Sequence, residues 1–220
     1  MGSKSLYLAS IFAVALTACA ADDSTSGVAR GTVTGTDVNP AGVPYPSANQ
    51  GYSTGFVAPN LKFIGWPDGD FTKEPVPVSL ANFYDPEGTT YKLIHVQAAA
   101  GWCGPCQAEA RAAGPLTDEL AAKGVVWLTA IVDGTKQGAG STSEDLKRWM
   151  TKFNLKSPGV VDSDQQKLGP FFPGAAVPWN GTIDARTMKV LESQLGGNNY
   201  DSADAIRKSV DKWLAKTATP

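Results

Sequence analysis

Residues 91–109 read YKLIHVQAAAGWCGPCQAE, and this stretch limits the possible folds more than any other. Tyr91 to Ala100 is mostly apolar and free of turn signals, as a buried strand requires. From Cys103 onward the pattern changes: Ala108, Ala112, Leu116 and Leu120 recur every fourth residue, the spacing of one helix face. A strand therefore hands over to a helix at CGPC. Pro105 suits the first helical turn, where its missing N–H costs nothing. Gly124 ends the run, and Pro115 inside it predicts a kink.

The remaining pattern extends this β-α unit. VVWLTAIVD (Val125 to Asp133) is an apolar, β-rich run without clean alternation, the signature of a strand covered on both faces. After the polar loop GTKQGAG, a helix is expected over Ser143 to Phe153, with Ser141, Thr142 and Ser143 as N-cap candidates. A short strand, a helical turn and two strands separated by Asp184 to Thr187 follow. Asp201 to Lys216 form a closing amphipathic helix carrying Ala205, Ile206, Val210, Trp213 and Leu214 on one face. The order β-α-β-α-β-β-α is that of an α/β domain with a mixed sheet flanked by helices. Upstream, short apolar pieces broken by Pro59, Pro67, Asp68-Gly69, Pro75 and Pro77 suggest a small β-hairpin addition.

The first residues read differently. Lys4 precedes an apolar run from Leu6 to Ala18, too short for a bilayer span of roughly 20 residues but suited to a secretory signal peptide. Its end, Leu16-Thr17-Ala18-Cys19, resembles a bacterial lipobox. That resemblance implies a signal peptide over 1–18 and a lipid anchor on Cys19, the alternative being an ordinary signal peptide. Ala20, rather than Asp, follows Cys19, which points to the outer membrane. Residues 19–54 are rich in Gly, Ser, Thr, Pro and Asn and read as the lipidated Cys and a flexible tether, of which Tyr45 and Tyr52 are candidates for packing. The globular domain is expected over 55–220.

The chain carries 3 cysteines, 1 histidine and a formal net charge of -2. With Cys19 lipidated, only Cys103 and Cys106 remain in an exported, disulfide-permitting compartment. A zinc site would need two more Cys or His, and His95 is the one histidine. Haem attachment would need His where Gln107 stands. No metal site and no cofactor is expected. Long runs of Lys or Arg are missing, so nucleic acid is not expected as a partner.

Several short segments together resemble the thioredoxin-like TlpA/ResA family of exported thiol-disulfide oxidoreductases. They run in family order from Val57 to about Trp213: VAPNL, VSLANF, GWCGPCQAE against the motif WCxPCxxE, VVDSDQQ, and VPWNGTID. The resemblance implies a thioredoxin-like fold and places Val177-Pro178, with a cis peptide, opposite the cysteines, where its backbone would pair with a substrate strand. Glu109 matches the motif Glu. One turn beyond Cys106, it would raise that thiol's pKa and relay its proton, or else only support the helix dipole.

The residues support the same assignment. At a helix start, unpaired N–H groups and the dipole favour a Cys103 thiolate, and Cys106 lies one turn away on the same face. Cys103 is thus the expected nucleophile and Cys106 the resolving thiol. A permanent disulfide would close too short a loop to stabilise much. Trp102 is expected as an aromatic lip over the sulfurs, or as plain packing. The chain departs from the family at Gln97, where Asn is usual, at Ala98-Ala99-Ala100, where Phe-Trp-Ala is usual, and at Val177, where Thr is common. Gln97 cannot titrate. His95, on the same strand face, is expected to be a satisfied or surface residue rather than a pH sensor.

The function expected is reduction of disulfides in exported proteins, recharged by a membrane dithiol donor, at the bacterial cell envelope facing the periplasm. The alternative is a thioredoxin-like binding lipoprotein that holds a client or a soft metal. Copper carriers on this scaffold add a histidine near the cis-proline, where Val177, Trp179 and Asn180 offer none.

Overall fold

The computed structural model describes Gly2 and residues 37–174, 176–196 and 199–218. Cys19 and the expected signal peptide lie outside the described residues, Gly2 apart. Among the described residues seven strands form one sheet, accompanied by four α-helices: β1 (Lys62–Trp66), β2 (Val76–Ser79), β3 (Leu93–Ala100), α1 (Gly104–Ala113), α2 (Thr117–Ala122), β4 (Val125–Asp133), α3 (Ser143–Lys152), β5 (Gly159–Val161), β6 (Trp179–Asp184), β7 (Val190–Leu195) and α4 (Ala203–Thr217). The strand order is β2-β1-β5-β4-β3-β6-β7.

Burial explains the order. Every residue of β3 and of β4 is buried, and these two strands pair in parallel at the centre, with β5 parallel on the far side of β4. β6 runs antiparallel beside β3, so the sheet is mixed as the pattern predicts. The expected hairpin is β1 with β2, joined antiparallel and attached to the sheet through β5.

The helix expected from Cys103 to Lys123 is broken at Pro115 into α1 and α2, joined by a 3-10 turn over Gly114–Leu116. Proline cannot donate to the ladder, and Gly114 lets the Phe153 backbone carbonyl approach where a Cβ would collide. α3 starts from Thr142, whose hydroxyl and the Asp145 carboxylate cap each other's backbone N–H.

Residues 37–54, read as tether in the sequence, pack on the domain. Tyr45 is buried and its hydroxyl donates to Ala58 O at 2.8 Å. Asn39 Nδ2 donates to Tyr84 O at 3.1 Å, and Tyr52 meets Phe171 edge-on with centroids 5.1 Å apart. The arm then runs alongside the start of β7: Gly55 N donates to Val190 O, Val190 N to Phe56 O, and Ala58 N to Met188 O. No helix among the described residues is long and apolar enough to cross a membrane.

Candidate active site

β3 delivers its C-terminal end to the start of α1. Gly101 N donates to Asp133 O, which holds the turn against β4, and a Cβ at Gly101 would lie 2.6 Å from Gly134 O. The two backbones can approach this closely only because Gly101 has no side chain. Cys103 is the N-cap of α1, with φ -80° and ψ 110°. Its Sγ accepts from Cys106 N at 3.2 Å, so one otherwise orphaned helix N–H faces the sulfur. Pro105 occupies the first turn. Cys103 and Cys106 are disulfide-bonded with Cα atoms 5.3 Å apart, and both are buried.

The loop before β6 comes to this disulfide. The Val177-Pro178 peptide is cis, and Val177 O lies 3.6 Å from Cys103 Sγ. Trp102 is 38% exposed beside it. Its indole is not loose: Nε1 donates to Asp133 Oδ2 at 2.9 Å, and the same oxygen accepts from Gly138 N at 2.6 Å. One carboxylate therefore ties the aromatic lip to the loop between β4 and α3. Beside the lip opens a cleft of about 210 Å³ lined by Gly101, Asp133, Arg148, Trp149 and Lys152.

Glu109 lies one turn beyond Cys106 on α1, at a separation that puts the two side chains side by side. It is fully buried. Gln97 Nε2 donates to Oε2 at 2.7 Å and Asn180 Nδ2 to Oε1 at 2.9 Å. Burial raises the carboxyl to about 7, against the opposing pull of these two amide donors, with the charge of Asp201 adding a further raise. A group poised there can both take and give a proton near neutrality.

His95 is likewise buried, between the rings of Trp127 and Tyr200 at 4.2 and 4.4 Å. Its Nε2 meets Asn180 Oδ1 at 3.1 Å and its Nδ1 meets Thr182 Oγ1 at 3.3 Å. Burial depresses its pKa to about 4, so the ring is neutral over most of the working range.

A central mixed sheet, a disulfide at the N-terminus of the helix that follows its central strand, and a cis-proline loop facing the sulfurs are now together. The fold is thioredoxin-like. Solved structures with this fold cover most of the chain. One is a thiol:disulfide interchange protein from a Bacteroides species, with TM-score 0.53 and 19% identity, covering 74% of this chain and 91% of that one. Another is the thioredoxin domain of a thiol-disulfide oxidoreductase from Bacteroides vulgatus, with TM-score 0.52 and 18% identity over 73% and 99% of the two chains. A third is a secreted thiol-disulfide isomerase from Corynebacterium glutamicum, with TM-score 0.54 and 16% identity over 71% and 84%. At these identities the likeness is one of fold. No family model and no curated protein matches the sequence.

On this thioredoxin-like frame Cys103, Cys106, Trp102 and Val177-Pro178 gather at one end of the sheet, with Glu109 beneath. Sequence reasoning missed Asp133 and Asn180. For Asn180 a signal existed: His95 and Gln97, and likewise Asn180 and Thr182, are polar residues two apart on buried strands, hence on one face. Asp133 gave none, because an acid at a strand end is common. Among the described residues no group of three or more Cys, His, Asp or Glu could hold a metal ion.

Proposed function

We propose that the chain is an exported thiol-disulfide oxidoreductase that reduces disulfides of cell-envelope proteins through the Cys103/Cys106 couple. The observation that carries this reading is the position of Cys103, at a helix N-cap with Val177 O on one side and Cys106 on the other. In the reduced protein the helix N–H groups favour a Cys103 thiolate. That thiolate attacks one sulfur of a client disulfide, and the client's other sulfur leaves as thiolate. Cys106, giving its proton to Glu109, then attacks Cys103 Sγ. The client departs as a dithiol, two electrons richer, and the site is left as the disulfide seen in the structure. A membrane dithiol donor returns it to the reduced form.

The backbone at Val177 would pair with the client strand, with Trp102 lying over the mixed disulfide. The cleft lined by Gly101, Asp133 and Trp149, on the β4 side of the turn that carries Trp102, offers room for a client side chain. In this reading residues 1–18 are a signal peptide, and Cys19 carries a lipid on the outer membrane, facing the periplasm. The chain between Cys19 and the packed arm then serves as the tether of the domain. The secreted nature of the Corynebacterium glutamicum neighbour and the activity named for the Bacteroides ones support the assignment. The deciding experiment is the reduction potential of the couple against glutathione buffers, with Cys103→Ser assayed for disulfide turnover. A potential near thioredoxin's, about -270 mV, and a dead variant are expected. Turnover that persists in Cys103→Ser would overturn the reading. A potential well above the glutathione couple's would make the protein an oxidase or isomerase instead.

A further inference from the structure

The two amides that hold Glu109 are not equivalent. Asn180 is held from behind: its Oδ1 faces His95 Nε2 at 3.1 Å, while its Nδ2 reaches Glu109 Oε1. A nitrogen facing a carbonyl oxygen at that distance must carry the hydrogen. The neutral ring then presents a bare Nδ1 to Thr182 Oγ1, whose hydroxyl donates to it. If Asn180 turned over, its N–H₂ would face the imidazole N–H, and two buried donors would oppose each other. Gln97 has no such hold. Its Nε2 donates to Glu109 Oε2, but its own Oε1 is buried without a hydrogen-bond partner among the described residues.

This asymmetry matters once Glu109 is protonated. A carboxylic acid needs an acceptor for its O–H, and a cradle of two N–H₂ groups offers none. Gln97 can supply one by rotating its amide through half a turn, because nothing bonded to Oε1 is lost. We propose that His95 is a positioning residue that locks Asn180 as a permanent donor to Glu109, leaving Gln97 as the amide that turns over when Glu109 takes up a proton. The proton count is simple: one proton is gained, at Glu109, and Gln97, Asn180 and His95 keep theirs. A residue that cannot titrate still takes part in the proton step, by reorienting.

The groups facing the two titrating centres bound this picture. Glu109 meets Gln97 from β3 and Asn180 from β6 and feels the charge of Asp201, with the cysteine pair on its own helix. His95 meets Trp127 from β4, Thr182 from β6 and Tyr200, and feels the charge of Glu192 on β7. The proposal rests on the redox reading only for its consequence on turnover. It is therefore tested in the oxidised protein, where neither cysteine titrates and failure of the redox reading would alter nothing.

The test is NMR of the Glu109 carboxyl carbon and the His95 ring nitrogens across pH, in the natural protein and in His95→Leu and His95→Gln. His95 is expected as the Nε2–H form on both sides of the Glu109 midpoint. In His95→Leu, Asn180 is freed as an alternative acceptor for the single acid O–H, so the midpoint rises by about 0.3 pH unit, the factor of two that a second acceptor supplies. In His95→Gln an amide N–H replaces Nε2–H and the midpoint returns toward its natural value. An Nδ1–H ring in the natural protein overturns the proposal, and that measurement stands even if a variant fails to fold. An unmoved midpoint in folded His95→Leu, or one equally raised in His95→Gln, overturns it too.

Discussion

Gln97 and Asn180 are direct register partners across β3 and β6, and they donate to opposite oxygens of the same carboxylate. The cradle of Glu109 is thus set by a backbone ladder rather than by the helix that carries the acid. This separation of duties makes several outcomes measurable.

Replacing Cys106 by Ser removes the resolving thiol and leaves Cys103 able to attack. The variant should accumulate a mixed disulfide with client protein, visible as a high-mass species that collapses on reduction, and should turn over no substrate. Absence of any trapped adduct, with activity retained, would show that Cys106 does not resolve the intermediate.

Glu109 and His95 should pull stability in opposite directions over nearly the same pH range. Burial raises the Glu109 pKa from 4.5 to about 7, so the folded state holds a proton that the unfolded chain has lost, and stability falls as pH rises through that window. Burial lowers His95 from 6.5 to about 4, so the unfolded chain holds the extra proton and stability falls as pH drops. The two nearly offset one another in the natural protein. Glu109→Gln should expose the histidine slope, with stability gained from pH 4 to 6.5 by on the order of 3 kcal/mol. His95→Leu should expose the opposite slope, with stability lost from pH 4.5 to somewhat above 7, where the raised Glu109 midpoint then lies. Denaturant titrations at half-unit pH steps check both, and parallel profiles for all three proteins would refute the offset.

Asp133→Ala removes the acceptor shared by the Trp102 indole and Gly138 N. The indole should then gain mobility and the loop from Gly134 should open more often. Lower fluorescence anisotropy and faster amide exchange at Gly138 are expected, while Glu109 keeps its midpoint. Unchanged exchange at Gly138 would mean that the loop is held by other bonds.

Gly181→Ala should destabilise the domain by about 1–3 kcal/mol in thermal or chemical unfolding. A Cβ there would enter the Trp179 indole, which is stacked on Phe172 with centroids 5.2 Å apart and cannot retreat. A neutral substitution would indicate that the aromatic stack has slack.

Much of this architecture was legible from local pattern. The central strands announce themselves as charge-poor runs, the helix break is written in Pro115, and the placing of Cys103 at a helix N-cap follows from the strand-to-helix junction. Glu109 could be singled out by its resemblance to the motif Glu of WCxPCxxE, but its cradle could not. Asn180 is 71 positions away and meets Glu109 only because β6 pairs with β3 in one particular register. In the arm, Tyr45 and Tyr52, the packing candidates of the sequence, both find distant partners. The arm's Gly, Ser and Pro content signals little burial, yet the Tyr45 hydroxyl on Ala58 O, Asn39 on Tyr84 O and Tyr52 against Phe171 hold it to the domain. Composition averages over a segment, whereas anchoring depends on one or two residues finding distant partners.

The arm beside β7 also bears on how such a protein survives crowding. An open sheet ends in two rows of unpaired amides that can template growth onto a neighbouring molecule. Here one rim is the short β2, where Pro77 has no N–H to offer, and the other is occupied at its first residue, Val190, by Gly55 and Phe56. A chain whose proposed work is to bind the exposed strands of other proteins has its own rims blunted. On the proposed reading, strand addition would be directed toward the backbone beside Cys103, where it would lead to chemistry rather than to self-association.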